Sequence, residues 1–439
     1  MDKMAQLAGV LQGLLTETAE RIGRECGLIK RQREFTATSL LSTFVLGCLQ
    51  WASPKWEQLA GLARELGARV SPQAVEQRIT PALRDSLYQL WRAAVGCVVS
   101  SEPRTTPLLK KFTDVLIGDS TTISISAELA EQFPGCGGPA GGGKAALKFQ
   151  VMWSMASGSL SRFAAEAGKT NDSTSLRKEA TPPAGSLSIY DLGYFNLERY
   201  KAWQAAGAHW ISRGISDINV WVDGQSVYFY DWLKTQPPGP IDCWLEVGAA
   251  RLRCRVIALR APLEVANRRR QKAHEKAQKK GKTPTARHLE TCDWTVFFTS
   301  CDATLLSWQE VLVLYRVRWQ IELLFKLWKS HNLLGKHRSE DPVRQLVELY
   351  AKLTAVIIQH WLILTTCWSD TALSLTKATR LIRERLPLLV AALPDLKALI
   401  AVLTRWQTLI PDLARIHKRQ QKPSNPQLLA NPMLLTFTS

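Results

Sequence analysis

The sequence has few acidic residues for its length. Its 439 residues include 38 Asp and Glu against 56 Lys and Arg, which gives a formal charge of +18 and a pI near 9.6. A positive charge of this size suits a polyanionic partner such as nucleic acid, and an anionic membrane surface would also attract it. Because 46% of the residues are hydrophobic, the chain can bury a large core, which excludes disorder of the whole chain.

Uninterrupted apolar segments of the kind that enter a membrane are also missing. The first residues, MDKMAQLAGVLQGLLTETAER, contain no unbroken apolar core followed by a small-residue cleavage site, so we expect no signal peptide. The most apolar late stretch, from Ala351 to Trp368, is interrupted by Lys352, Gln359 and His360. Because polar side chains are costly inside a bilayer, this stretch predicts a buried helix rather than a membrane span.

Neither the cysteines nor the glycines form a recognisable ligand motif. The nine Cys include no Cys-x-x-Cys pair and no Cys/His cluster with zinc spacing, and they are typical of the reduced thiols of a cytoplasmic protein. The glycine-rich stretch PGCGGPAGGGK, residues 134–144, lacks the Ser or Thr that follows the lysine of a phosphate-binding loop. It predicts a flexible loop.

The N-terminal region, residues 1–105, is predicted to be helical. Apolar residues recur at steps of three and four in SLLSTFVLGCLQW and LRDSLYQLWRAAVGCVV. Between them, a helix ending at Gly67 and a second helix capped by Ser71, with Pro72 in its first turn, form the layout of a helix-turn-helix. An ordinary helical hairpin has the same layout, so a DNA-binding role stays open here. Residues 100–107 predict a linker.

An α/β core is predicted from residues 106–214. DVLIGDSTTISI and ALKFQVMWSMASGSLSRFAAEAG are rich in strand-forming residues, and a Ser-Gly pair in the second indicates the turn of a hairpin. SLSIYDLGYFN then indicates a strand that ends at Asp191, LERYKAWQAAG a helix and HWISRG another strand. This alternation of strands and helices is typical of an α/β unit.

The rest of the chain divides into four segments. Residues 215–300 are strand-rich, in VWVDGQSVYFYDWL, DCWLEVG, RLRCRVIALR and DWTVFFTS, and are interrupted by the basic run NRRRQKAHEKAQKKGK. That run is either a solvated face or arm or a phosphate contact, since so many cations in one place need counter-charge. Residues 301–340 and 341–417 are predicted to be helical, and 418–439 to form a disordered tail.

One helix within residues 301–340 carries a polar stripe. Four polar residues of YRVRWQIELLFKLWKS fall within an arc of about 60° on a helix that advances about 100° per residue: Tyr315, Arg318, Glu322 and Lys329. The adjoining flank is apolar and would anchor the helix in a core; it consists of Ile321, Leu324, Phe325 and Trp328. An amphipathic helix with an internal pair between Arg318 and Glu322 would show the same pattern.

Two further acids stand at the ends of predicted strands. Asp119 lies in IGDSTT and Asp191 in YDLGYFN, and an Asp in either place alone is most often a cap or a turn residue. Together with Glu322 they supply three carboxylates from two strands and one helix. Hard oxygen ligands of this kind suit Mg²⁺ or Mn²⁺, and two such ions about 3.5–4 Å apart stabilise the attacking and leaving oxygens of a phosphoryl transfer.

The spacing of the stripe resembles the signature of the insertion sequence 4 family of bacterial DDE transposases. That signature is Tyr, two residues, Arg, three residues, Glu, six residues and Lys, and it matches residues 315–329 without a gap. Asp119 and Asp191 match in context the first and second catalytic acids of the family, and Glu322 matches the third. The resemblance covers roughly residues 110–340 and implies an α/β fold with a ribonuclease H-like catalytic core, interrupted by a strand-rich insertion.

The resemblance also implies an enzyme that cuts double-stranded DNA at the terminal inverted repeats of a mobile element and joins the ends to target DNA. Mg²⁺ or Mn²⁺ on the three acids would activate water to free a 3′-hydroxyl, which then attacks the second strand or the target. Arg318 and Lys329 would hold phosphates near the scissile bond, and Tyr315 would hydrogen-bond one. Because two ends must be paired, a homodimer is implied. The protein would be cytoplasmic in a bacterium, on the nucleoid when bound, with no membrane partner.

Three more residues resemble basic or aromatic positions of the family. Trp294, in DWTVFFTS, falls where members place a Trp near a flipped base, and Lys148 and Arg213 resemble basic positions. Extruding a base costs a few kcal/mol, and an aromatic platform returns about 1–3 kcal/mol by stacking on it. We therefore expect the Trp294 indole to be at least partly exposed, whereas burial within the sheet would assign it to the core.

Two alternatives stay open on the sequence alone. A metal-dependent nuclease would use the same three acids and cut DNA without joining it. A catalytically inactive DNA-binding relic would keep the fold and bind DNA without cutting it. The presence of all three acids and of the complete stripe favours a working transposase, and inverted repeats beside the coding DNA, with a short direct duplication outside them, would support it.

Overall fold

The computed structural model describes residues 2–30, 34–97, 99, 106–136, 144–177, 180–215, 217–279, 281–368, 373–416 and 425–434. Its α-helices, in chain order, are α1 (Lys3–Gly13), α2 (Ala19–Glu25), α3 (Ala37–Trp51), α4 (Trp56–Glu65), α5 (Pro72–Glu76), α6 (Pro81–Gly96), α7 (Asp172–Arg177), α8 (Leu197–Ala205), α9 (Phe229–Lys234), α10 (Leu263–Gln278), α11 (Ala286–Glu290), α12 (Trp308–Val317), α13 (Trp319–Ser330), α14 (Pro342–Cys367), α15 (Leu375–Ala392), α16 (Leu396–Leu413) and α17 (Asn425–Ala430).

The strands lie between the N-terminal and C-terminal helical regions of the chain. They are β1 (Val115–Ile125), β2 (Ala145–Ser154), β3 (Leu160–Ala167), β4 (Leu187–Tyr190), β5 (His209–Arg213), β6 (Asn219–Val222), β7 (Gln225–Tyr228), β8 (Ile241–Val247), β9 (Leu252–Arg260) and β10 (Trp294–Thr299). The mixed α/β class is therefore confirmed, and so are the predicted hairpin after β1 and the strand that ends just before Asp191.

The chain divides into two compact units that are each built from several separate stretches. The first unit takes in Met1–Arg104, Ser120–Thr170 and Glu322–Arg419, and the second Thr105–Asp119, Asn171–Ile321 and Gln420–Ser439. The six consecutive segments predicted from the sequence stay a prediction, since this division follows contacts rather than chain order.

The second unit is organised by strands in the order β1-β4-β5-β10-β9-β8-β6-β7. The strands β1, β4 and β5 run parallel, with Gly118 opposite Tyr190 and Ile189 opposite Ile211. All four residues of β4 are buried, as expected of a parallel strand covered on both faces. From β10 onwards the neighbours are antiparallel. Residues 215–300 supply this antiparallel part and are strand-rich as predicted.

The first unit combines the hairpin of β2 and β3 with the N-terminal helices α1–α6 and the C-terminal helices α14–α16. The hairpin turn passes through Gly158, whose φ of +74° is one that L side chains rarely adopt. Helix α14 packs against α3 and α6, and α15 against α16. The N-terminal region is therefore helical as predicted.

Helix α14 contains the late apolar stretch. Its length and composition alone would let it cross a membrane, but 94% of its most apolar 18-residue stretch is buried inside the protein. The polar residues that interrupt it have partners: Lys352 pairs with Glu348 at 2.7 Å, and Gln359 accepts a hydrogen bond from Asn332 at 2.9 Å. Burial lowers the pKa of His360 to about 4. The predicted buried helix is confirmed.

The predicted helix-turn-helix layout is present in the first unit. Helix α4 ends at Glu65, Gly67 follows with a φ of +89°, and the Ser71 hydroxyl accepts a hydrogen bond from the Ala74 amide at the start of α5. Pro72 occupies the first turn of α5, where its missing amide proton costs nothing. The layout is confirmed, and the DNA-binding role stays open.

The structure corrects two predicted segments and shows the form of a third. The helix expected over residues 315–330 is divided, because the Arg318 amide bonds to the Tyr315 carbonyl and the Ile321 amide to the Arg318 carbonyl, three residues back instead of four. The end of VWVDGQSVYFYDWL is helix α9, whose buried residues include Phe229 and Leu233, four apart as on one helix face. The basic run lies mostly in helix α10.

Several predicted segments lie wholly or partly outside the described residues. They are the linker at 100–105, the glycine-rich loop at 137–143 and the tail at 418–424 and 435–439. Within the tail, residues 425–430 form α17, so the prediction of disorder is wrong for that part.

Gly118 offers a direct test of how β1 and β4 fit together. A Cβ added there would lie 2.0 Å from a ring carbon of Tyr190, which is buried and packs against Tyr194 and Trp203. We expect Gly118→Ala to lower the free energy of unfolding by at least about 1–3 kcal/mol, since a packed ring cannot move aside freely. Urea unfolding followed by tryptophan fluorescence measures this loss.

The matched control is Gly9→Ala in α1, where an added Cβ meets nothing within 4 Å. That change should be neutral or stabilising by up to about 1 kcal/mol, because Ala favours the helix. If both variants unfold like the parent protein, the contact between Gly118 and Tyr190 does not constrain the fold.

Candidate functional site

Two of the three predicted acids stand at the same edge of the second unit's parallel strands. Asp119 follows Gly118 in β1, and Asp191 follows Tyr190 at the end of β4, and these two preceding residues are register partners. Asp191 follows the end of β4, whereas β1 continues past Asp119 to Ile125, so the strand end predicted at Asp119 is wrong. The parallel register, with Gly118 opposite Tyr190, therefore brings Asp119 and Asp191 to adjacent positions.

The guanidinium of Arg318 lies between these two carboxylates. Its Nη1 donates to Asp119 Oδ2 at 3.0 Å, and its Nη2 lies 4.0 Å from Asp191 Oδ1. The Arg318 side chain is 6% exposed, against 15% for Asp119 and 49% for Asp191. Two like charges this close require a cation, and a nearly buried guanidinium supplies one. The sequence predicted a pair of Arg318 with Glu322 or with phosphate, and it missed this contact.

Tyr315 reaches the same acid from helix α12. Its hydroxyl lies 3.4 Å from Asp191 Oδ1, and its ring packs against Phe297 with centroids 4.9 Å apart. Burial raises the pKa of Tyr315 to about 12, so the hydroxyl keeps its proton and can donate at neutral pH. The helix is fixed at its start by a capping box of Ser307 and Glu310.

A basic cavity of about 560 Å³ adjoins Tyr315 in the second unit. Four arginines line it: Arg213, Arg260, Arg269 and Arg316. The described residues around the cavity include no Asp or Glu. Aromatic side chains form much of the rest: Phe297, Trp308, Tyr315 and Trp319. Arg213, predicted as a DNA-binding residue, thus lies in a strongly basic environment, while the three other arginines were not singled out from the sequence.

Glu322 and Lys329 belong to the part of α13 that falls in the first unit. Glu322 is partly exposed in the first turn, and the predicted apolar flank is buried, with Trp328 stacked on Phe163 at a centroid distance of 5.1 Å. Lys329 is exposed on this helix, although partial desolvation lowers its pKa. In the same unit, Lys148 donates to the Thr170 carbonyl at 2.7 Å.

The metal assignment to Asp119, Asp191 and Glu322 stays a prediction. Within the described part of the chain there is no group of three or more His, Cys, Asp or Glu side chains that could hold a metal ion. Asp119 and Asp191 are brought together, with Arg318 and Tyr315 as their contacts. These four residues form the acid cluster of the second unit.

The exposure expected for Trp294 is wrong. The residue is only 7% exposed in β10, and the guanidinium of Arg260 lies 4.9 Å from its ring centroid. Arg260 is its register partner on β9, so the cation stands over the ring face that a base would need. This packing assigns the indole to the core of the second unit. The exposed indole beside the acid cluster's tyrosine is Trp319, which is 57% exposed and which the sequence did not identify.

Comparisons with known proteins give the family of the chain. Residues 110–358, more than half of the chain, match the family model described as transposase DDE domain. The chain is 27% identical over 437 residues to the transposase for insertion sequence element IS231C of Bacillus thuringiensis subsp. berliner, covering 92% of this chain and 90% of the relative.

Two further relatives carry the same kind of name. The transposase for IS231F of Bacillus thuringiensis subsp. israelensis is 26% identical, with 94% of this chain and 92% of the relative covered. The transposase for IS1151 of Clostridium perfringens is 23% identical, with 79% and 78% covered. The family match over more than half of the chain shows that the chain belongs to the DDE transposases, and with these relatives it identifies a DNA transposase of an insertion sequence.

Proposed function

We propose that Asp119, Asp191 and Glu322 hold the divalent ions of a phosphoryl transfer that cuts the ends of the element and joins them to target DNA. The observation that carries the proposal is the meeting of Asp119 and Asp191, each one residue beyond the last register pair of the parallel strands β1 and β4, with Arg318 against both. Glu322 is added by its spacing from Tyr315, Arg318 and Lys329, which resembles the insertion sequence 4 family.

The donor set fits a hard divalent ion. Dependence on a divalent metal follows from the family in general, and oxygen ligands from carboxylates suit Mg²⁺ or Mn²⁺. Asp191 is half exposed, so an ion and a phosphate have access to this edge of the strands. When bound, such ions supply Lewis-acid activation of the attacking oxygen and neutralise charge on the leaving oxygen.

The chain's own residues would orient the DNA at this edge. Tyr315 keeps its proton and can donate a hydrogen bond to a phosphate oxygen. Arg318 can exchange one carboxylate contact for a phosphate, because its fork of donors matches both anions. Arg213 adds positive charge beside Tyr315 in the basic cavity. Lys329 would hold a phosphate as an exposed point charge.

The remaining parts of the proposal concern the substrate, the assembly and the fold. Double-stranded DNA is the substrate class of a transposase, and we propose that this one recognises terminal inverted repeats as a homodimer in the bacterial cytoplasm. The parallel β1, β4 and β5 of the second unit and the order β3-β2-β1 in the first support a ribonuclease H-like core.

A nuclease that cuts without joining is the competing function, and one product separates the two. The purified protein is incubated with Mg²⁺, a labelled duplex that carries the sequence flanking its coding region, and a supercoiled target plasmid. We expect labelled DNA covalently joined to the plasmid. Cleaved duplex without any joined product would assign a nuclease, and binding without cleavage would assign an inactive relic.

The three acids should be required for cutting but not for binding. In Asp119→Asn, Asp191→Asn and Glu322→Gln, we expect cleavage to fall by at least about a thousandfold, since each change removes a ligand charge that neutral amides replace poorly. Binding of duplex DNA should stay within about threefold of the parent, because removing negative charge does not weaken attraction to phosphate. Gel cleavage assays and fluorescence anisotropy measure the two effects.

Asp302 provides the matched control for these acid variants. It is an exposed aspartate of the second unit, and its carboxylate accepts hydrogen bonds from Thr304 and the Leu305 amide. The Asp302→Asn variant should cut at the parental rate. Retained cleavage in any of the three acid variants would remove that residue from the proposed ion-binding set.

Lys329 and Arg318 should respond differently to salt. Lys329→Ala should reduce the slope of log affinity against log salt by about one counterion, because an exposed lysine releases counterions when it binds phosphate. Arg318→Ala should change the slope less, since the guanidinium of Arg318 already forms an ion pair with Asp119. It should instead reduce cleavage, because the two acids lose their shared guanidinium.

Anisotropy titrations at several salt concentrations, with cleavage measured in parallel, separate these effects. An equal loss of slope in both variants would place Arg318 on DNA phosphate rather than on the acids. An unchanged slope and unchanged cleavage for Lys329→Ala would assign that residue to a solvated helix face.

A further inference from the structure

Helix α10 has one face that packs against β10 and the turn before it, and another face that is exposed and basic. On the inner face, Arg269 donates to the Trp294 carbonyl at 2.9 Å and to Thr295 Oγ1 at 3.0 Å, and Arg270 pairs with Asp293 at 2.5 Å. Ala266 and Ala273 are buried on this side. These contacts fix the helix on β10 and on the turn before it.

Four cations of the same helix share the outer face, at steps of four, four and three: Arg268, Lys272, Lys276 and Lys279. On a helix that advances about 100° per residue they fall within an arc of about 80°. All four are exposed, and none of them forms a salt bridge with the residues that the structure describes. The acid beside them, Glu275, accepts a hydrogen bond from Gln271 at 3.0 Å.

The inner face of α10 also borders the basic cavity. Val265 and Arg269 line it together with Arg213 and Tyr315, and the Tyr315 hydroxyl reaches Asp191. Positive charge therefore extends within the second unit from the acid cluster, through the arginines of the cavity, to the outer face of α10. Within the described part of the chain, no cation of the α10 face forms a salt bridge with an acid.

We propose that this outer face of α10 binds the sugar-phosphate backbone of duplex DNA next to the position of cutting. From Arg268 to Lys279 the helix rises about 16 Å at about 1.5 Å per residue, which matches about five base-pair steps of about 3.4 Å along one strand. Lysines on a fixed helix contact phosphates without reading bases, so the contact is independent of sequence. The inference rests on the proposed function for the position of cutting, but not for the binding itself.

The decisive experiment neutralises two cations of this face in the full-length protein. In the double variant Lys272→Gln and Lys276→Gln, the charge is lost while a good helix former is kept. The probe is a fluorescent 30-base-pair duplex of arbitrary sequence, titrated by anisotropy at several salt concentrations. We expect the slope of log affinity against log salt to fall by about two, at about one per lysine, and the affinity at low salt to fall by about tenfold.

The matched control removes the same two charges from another exposed helix surface. Lys397 and Arg405 are exposed on α16 of the first unit, and neither forms a salt bridge with the described residues. The double variant Lys397→Gln and Arg405→Gln has the same net charge as the test variant, so any general effect of charge appears in both. Circular dichroism and thermal unfolding verify that both variants are folded.

Three outcomes would overturn the proposal. An equal loss of slope in test and control variants would show an effect of net charge alone. An equal weakening of binding to DNA and to a fluorescent poly-glutamate peptide would make the face a general anion surface. A parental slope in the α10 variant, in a protein that still cuts and joins DNA, overturns the inference and leaves the proposed function intact. A reduced slope in the α10 variant of a protein that never cuts DNA supports DNA binding by this face and overturns the proposed function.

Discussion

Asp119 and Asp191 carry like charges on neighbouring parallel strands, each one residue beyond the last register pair of β1 and β4, and the guanidinium of Arg318 lies against both. Taking a charged group out of water is costly unless an opposite charge accompanies it, and Arg318 is almost fully buried. The pair of acids and their cation therefore depend on one another. The same proximity that would be unfavourable for stability places two carboxylates close together, as the proposed divalent ion would need.

The backbone around this edge is shaped to keep the two acids in register. Gly118 has no side chain because the ring of Tyr190 crosses the strand at that place, and this ring is packed against Tyr194 and Trp203. Close packing of large aromatic rings fixes the two strands relative to each other, since protein interiors have little free volume. The residues that follow in each strand, Asp119 and Asp191, are placed by that packing.

The polar residues of the stripe are divided between helices α12 and α13. Tyr315 lies on α12, Arg318 at the break, and Glu322 and Lys329 on α13. At Arg318 the backbone hydrogen bonds change to carbonyls three residues back, and the side chain of this same residue contacts Asp119. The basic residues are likewise divided by role: Arg269 and Arg270 fasten α10, whereas the lysines on its other face are exposed to solvent. Net charge alone did not distinguish these roles.

Local sequence determined much of the architecture. Runs of strand-forming residues gave β1 to β5, apolar periodicity gave the N-terminal helices and α14, and the Ser71 cap with Pro72 gave α5, because each depends on residues near one another in the chain. The aromatic segment that became α9 was assigned to a strand, since aromatic residues favour strands and only packing of Phe229 and Leu233 in the core favoured the helix.

The sequence by itself determined which side chains are proposed to carry the chemistry: Asp119, Asp191, Glu322 and the spacing of the stripe are properties of residue type and order. Only the tertiary structure decided which of them touch. The partner of Arg318 is Asp119, a residue 199 positions away, and the exposed indole near Tyr315 is Trp319 rather than Trp294. Contacts of this kind are set by strand register and by which ring face a cation already covers, and neither is encoded in a short stretch of sequence.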